Sequence, residues 1–131
     1  MARVVNPRTF RLQPSTFGPT PIATPVVTAF DVGRLVYLER LRIVIPAGHV
    51  GLTGIAVRME GTVVLPWSGG SPWLVGNGHD WVFEMGDLEM GNPLQVLTYN
   101  LDRRVHTHEI HATVRDVERH QQSTTSLITA L

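Results

Sequence analysis

Residues 34–46 read RLVYLERLRIVIP, and whether this stretch is helix or strand decides the fold. In an extended chain Leu35, Tyr37, Leu41, Ile43 and Ile45 share one face, interrupted by Glu39, while Arg34, Arg40 and Arg42 share the other. A helix would also bring Leu35, Leu38 and Leu41 together. The β-branched run Ile43–Val44–Ile45, followed at once by Pro46, decides for a strand.

The C-terminal side continues in the same period. AGHVG (47–51) is a turn with two glycines, and in LTGIAVRME (52–60) Ile55, Val57 and Met59 alternate with Ala56 and Arg58. Gly61 breaks the run before TVVLPW (62–67), and SGGSP (68–72) is a loop. WLV (73–75) is a short strand, and GNGHD (76–80) carries an Asn-Gly pair that favours a tight hairpin. Trp81, Phe83 and Met85 alternate with Val82 and Glu84 as a half-buried strand, and GDLEMGNP (86–93) reads as another loop. LQVLTYNL (94–101) and RVHTHEIHATVR (104–115) are the last two strands, joined through Asp102–Arg103. With seven or eight short strands and turns every eight to twelve residues, the chain is predicted to be all-β, an antiparallel β-sandwich or jelly roll. The predicted core is Ile43, Ile45, Ile55, Val57, Trp81, Phe83, Val96 and Ile110.

The N-terminal side differs. Residues 13–30, QPSTFGPTPIATPVVTAF, hold four prolines and no charge. Pro14, Pro19, Pro21 and Pro25 exclude a helix and a central strand, because proline fixes φ and lacks an N–H. A solvated linker is excluded too, since Phe17, Ile22, Val26, Val27 and Phe30 favour leaving water. The expected organisation is an extended Pro-rich arm (1–33), a β-sandwich domain (34–116) and a polar C-terminal tail (117–131). The arm residues Phe17, Ile22, Val26, Val27 and Phe30 are its expected assembly interface.

Composition narrows the function. At 131 residues the chain has the length of one domain, with 43% hydrophobic and 17% charged residues and a formal net charge of zero. That balance supplies no field to attract nucleic acid or anionic membrane, and it opposes association only weakly. All eleven basic residues are arginine, and cysteine is absent, which rules out disulfides and thiolate metal sites. Residues 1–10 lack the apolar core of a signal peptide, and no run approaches the roughly 20 apolar residues of a membrane span. The expectation is a protein made in a host cytoplasm and kept there until assembly.

Three features invite a chemical reading. HTHEIH places His106 and His108 on one strand face, close enough for one metal ion, with His111 opposite. The His-x-His pair resembles the cupin motif, but Ala112 and Thr113 stand where cupins place a glutamate, and the glycine-rich lead-in is missing. No metal site follows, and all three histidines are expected at a surface or an interface. The second feature is the set Trp67, Trp73 and Trp81: Trp81 follows the core alternation and Trp67 ends an apolar strand, while Trp67 and Trp73 with loops 68–80 carry the alternative of a glycan platform. The third, the glycine-bearing loops AGHVGLTG and SGG, matches neither GxxxxGK[ST] nor GxGxxG and reads as turns. No serine lies in a GxSxG elbow, and no carboxylate spacing marks an acid/base pair, so no catalytic residue and no cofactor are assigned.

The Pro-rich arm, the lysine- and cysteine-free β domain and the motifs IPAGHVGLTGIAVRMEG, LPWSGGSPWLVGN and LTYNLDRRVHTHEIHATV together resemble small structural proteins of tailed bacteriophages infecting GC-rich actinobacteria. The resemblance spans roughly residues 34–116. It implies a non-enzymatic virion component, a capsid decoration, tail-associated or adaptor protein. Such a protein would form symmetric homo-oligomers and contact other virion proteins through its arm. The alternative is a carbohydrate- or host-surface-binding module using Trp67, Trp73 and loops 68–80.

Overall fold

A computed structural model describes residues 7–59, 62–65 and 73–117, all of them in strands, turns or extended segments and none in a helix. The strands are β1 (Arg8–Leu12), β2 (Ser15–Thr16), β3 (Val26–Phe30), β4 (Val36–Ile45), β5 (Thr53–Met59), β6 (Thr62–Leu65), β7 (His79–Met90), β8 (Leu94–Asn100), β9 (His106–Thr107) and β10 (Glu109–Asp116). They pair as a first sheet in the order β1-β10-β4-β7, a second in the order β3-β8-β5-β6, and a two-stranded patch of β2 and β9. Every pairing is antiparallel. The fold is all-β, consistent with a β-sandwich, and one continuous core takes side chains from both four-stranded sheets.

The predicted strand over 34–46 forms, with one internal change of phase. Leu41, Ile43 and Ile45 are fully buried as expected, but upstream of them Val36 and Leu38 are buried in place of Leu35 and Tyr37. The cause is a bulge at Glu39, which both neighbouring strands skip: β10 passes from Arg40 to Leu38, and β7 does the same. One extra residue rotates the chain by half a pleat and exchanges its faces. The glutamate that interrupts the apolar pattern is therefore the residue that resets it.

On β7 the partner irregularity lies at Gly86 and Asp87, with φ of 63° and 54°. This left-handed pair, natural for glycine and tolerated by aspartate, lets the strand bend and continue to Met90. The loop expected over 86–93 is thus mostly strand. Likewise Asn77–Gly78 closes no hairpin, because Leu74 bridges to Ile55 of the second sheet while β7 belongs to the first.

Of the eight predicted core residues, Ile43, Ile45, Ile55, Val57, Val96 and Ile110 are buried. Trp81 and Phe83 pack against the core but stay half-buried, because β7 is an edge strand. Each fully buried aliphatic side chain contributes about 1.5–3 kcal/mol from burial alone.

The largest departure concerns the N-terminal segment. It was expected to lie outside the sandwich up to residue 33, yet β1 pairs with β10 from Arg8 to Leu12, and β3 pairs with β8 from Val26 to Phe30. Both are edge strands, and Pro14, Pro19, Pro21 and Pro25 all fall between or beside the strands rather than within them. Proline keeps this segment out of the sheet centres but leaves the edges open to it. The predicted tail, 117–131, lies outside the described residues except for Val117.

Candidate functional site: a buried histidine cluster and an uncovered apolar edge

One end of the molecule has a polar interior. The inward face of the second sheet is apolar at Ile55, Val57, Leu94 and Val96, then turns polar at Thr53, Thr98 and Asn100, all buried. Thr16 of β2 reaches this end and its Oγ1 lies 2.7 Å from Thr98 Oγ1. Asn100 ties three segments together. Its Nδ2 donates to the carbonyls of Thr16 (2.9 Å) and Arg104 (2.7 Å), while its Oδ1 accepts from the Asp102 N–H at 2.8 Å.

Three imidazoles meet in this setting. His49 comes from the turn after β4, His106 from β9, and His108 from the single residue between β9 and β10. The His49 ring centroid lies 4.4 Å from that of His106 and 4.8 Å from that of His108. Thr53 Oγ1 sits between two of them, 2.7 Å from His49 Nδ1 and 3.2 Å from His108 Nε2. A hydroxyl has one proton, so Thr53 donates to one ring and accepts from the other. His108 Nδ1 is buried with no hydrogen-bond partner, whichever tautomer it holds. His106 Nε2 pairs with Asp102 Oδ2 at 2.8 Å.

Burial decides the charge state. Desolvation, then His49 and His106 beside it, push His108 down to about 3 from an ordinary 6.5. Burial and His106 also lower His49, against a backbone hydrogen bond at Thr107 that favours its charged form. Asp102 is held below the usual carboxylate range by the His106 hydrogen bond, with the Arg103 N–H adding to it.

The sequence expectation of surface or interface histidines is therefore corrected for His106 and His108, which are interior. They do share a face, as their spacing predicts, but their neighbour is His49 rather than a metal ligand set. Among the described residues, no group of three or more His, Asp or Glu side chains is arranged to hold a metal ion. His111 does fall on the opposite face, half-buried, 3.5 Å from Glu109 Oε1. His49 carried no sequence signal beyond its place between two turn glycines.

The arm residues divide. Phe30 is only 8% exposed and packs on Phe10, with ring centroids 5.4 Å apart, so it belongs to the core and not to an interface. Phe17 is 72% exposed, and Ile22, Val26 and Val27 are exposed as well. Trp67 and residues 68–72 lie outside the described residues. Trp73 is half-buried and packs edge-on against Tyr99 at 4.9 Å, while Trp81 stacks on His79 at 5.1 Å. Comparison with known proteins finds no matching family model and no matching curated relative.

Proposed function

We propose that the chain is a non-enzymatic structural subunit that assembles with further copies of itself and with other proteins of a phage particle, as a capsid decoration or tail-associated component. The observation that carries this reading is the exposure of Phe17, Ile22, Val26 and Val27 along one segment that includes β3, an edge strand among the described residues. Four large apolar groups in water favour a protein partner. An edge strand offers that partner unpaired backbone donors and acceptors as well.

The strand orders support a finer reading of the fold. We infer a jelly roll, in which the chain alternates between two four-stranded sheets of orders β1-β10-β4-β7 and β3-β8-β5-β6. That architecture recurs in viral capsid proteins and also in lectins. The lectin comparison keeps the glycan alternative in view, but it rests on Trp73, which is already packed on Tyr99, and on Trp67 outside the described residues.

The test is a photoreactive phenylalanine analogue in place of Phe17, irradiated in the purified chain and in assembled particles. Cross-links mapped to a second copy or to another particle protein are expected. Exclusive cross-linking within one chain overturns the reading.

A further inference from the structure

We propose that the histidine-lined end of the molecule is an acid-released clasp: when His49 and His108 take up protons, the 14–20 segment and the 101–107 loop detach while the two four-stranded sheets stay paired. The clasp lies within one chain and does not depend on association.

Among the described residues the cluster offers little to compensate added charge: the backbone hydrogen bond at Thr107 favours a charged His49 but is outweighed by burial and by His106. From the turn after β4 comes His49, and from β5 the uncharged Thr53. β8 contributes Thr98 and Asn100, with Tyr99 turned to the other face against Gly54 and Trp73. β2 contributes Ser15 and Thr16. The 101–105 loop brings the single carboxylate, Asp102, already engaged by His106, together with the cations Arg103 and Arg104. Glu109, next along the chain, pairs with Arg11 at 2.8 Å on the outer face. A proton on His49 or His108 thus meets two neighbouring imidazoles and, among the described residues, no free carboxylate. In water the same proton is solvated, so acid favours the open form.

The parts that would open are the weakest held. β2 and β9 pair over only Ser15↔Thr107 and Thr16↔His106, whereas β4 and β7 pair from Val36↔Met90 to Ile45↔His79, interrupted only at the bulge. So short a ladder has little stability of its own. Its remaining ties converge on the cluster: the His108 N–H donates to the Pro14 carbonyl (3.0 Å), and Thr20 and Asn100 exchange backbone bonds of 2.6 and 3.1 Å. Gly18 lies so close to the Asp102 backbone that any side chain there would collide with it. Releasing the cluster frees all of these together, as a local unit below the global stability.

The experiment is amide hydrogen exchange of the full chain from pH 7.5 to 4.5, with intrinsic rates corrected for pH. Each ring that gains a proton on opening raises the opening constant up to about tenfold per pH unit below its solvent value. The amides of His108, Thr20 and Asn100 should therefore open about 10–100-fold more between pH 6.5 and 5.5, while those of Ile43 and Ile110 hold. A change under about twofold, or a parallel rise at Ile43 and Ile110, overturns the clasp. In the double variant His49→Gln, His108→Asn the pH gradient should flatten, and an unchanged gradient overturns the assignment to these rings. If that variant does not fold, imidazole carbon resonances of the unaltered chain decide. Neutral His49 and His108 rings in the protected state at pH 5 support the clasp, and charged rings in a fully protected segment overturn it.

Discussion

The outer faces of the two sheets are built from different materials. On the first sheet, arginines alternate with carboxylates across the strands. Arg40 meets Glu84 at 2.9 Å, Arg42 meets Asp80 at 2.6 Å, Arg11 meets Glu109 at 2.8 Å, and Arg115 bridges Glu39 and Asp87 at 2.8 Å each. On the second, the outward positions of β3, β8 and β5 are Val27, Ala29, Gln95, Leu97, Tyr99, Gly54, Ala56 and Arg58, where the one cation is satisfied by Gln95. Charges laced across strands keep a face solvated and discourage edge pairing. Of the outward positions on the second sheet, Gly54, Ala56 and Tyr99 are buried, Tyr99 beneath Trp73, so the apolar groups left in water lie along the β3 edge, where Val26, Val27 and Ala29 run on to Ile22 and Phe17. The contrast separates a face finished for water from an apolar edge left exposed.

That contrast can be broken first at its root, the N-terminal segment that edges the second sheet. Phe30→Ala should destabilise the folded chain by about 3–5 kcal/mol in denaturant titration, because Phe30 fills the core beside Phe10. Phe17→Ala should change the isolated fold by less than about 0.5 kcal/mol. Equal effects would erase the distinction between a built-in and a free half of the segment. For the same reason, deleting residues 1–30 removes two edge strands and should unfold the domain rather than only disassemble it.

Acid tests the inner face. His49 and His108 ionise less readily folded than unfolded, so the unfolded chain binds the extra protons and stability falls as pH drops below about 6.5. The loss should approach about 1.4 kcal/mol per pH unit for each ring while the clasp is closed and level off once it opens, as followed by urea denaturation at successive pH values. A stability curve flat from pH 7 to 4 contradicts the burial of these rings.

The smallest expected effect sharpens the description of the first sheet. A double-mutant cycle on Arg40 and Glu84, both largely solvated, should give a coupling of about 0.2–1 kcal/mol that fades in high salt. Removing the pair should leave association untouched, because this face is the one finished for water.

Much of the framework was legible because it depends on a period of two. The run Ile43–Val44–Ile45 identified its strand, and Ile55, Val57, Val96 and Ile110 reached the core as their alternation predicts. The errors have local physical causes. Glu39 shifted the phase of β4, since a bulge costs one residue and leaves no compositional mark beyond a misplaced charge. Gly86 and Asp87 read as a loop because residues suited to positive φ also terminate strands. The Pro-rich segment read as a separate arm because proline density says where a strand cannot be central, not whether its ends can pair at an edge. His49 was unreadable, since its meeting with His106 and His108 spans more than fifty residues and is set by topology alone.

Sedimentation of the full chain beside Val27→Lys and Arg42→Ala tests most directly the claim that the β3 edge and the segment before it are the contact surface. A lysine at Val27 places a charge on the exposed edge without touching the core, and should weaken self-association by at least about tenfold. Arg42→Ala, on the opposite face, should leave it unchanged. If Arg42→Ala dissociates the assembly and Val27→Lys does not, the two faces have been assigned the wrong way round and the account fails.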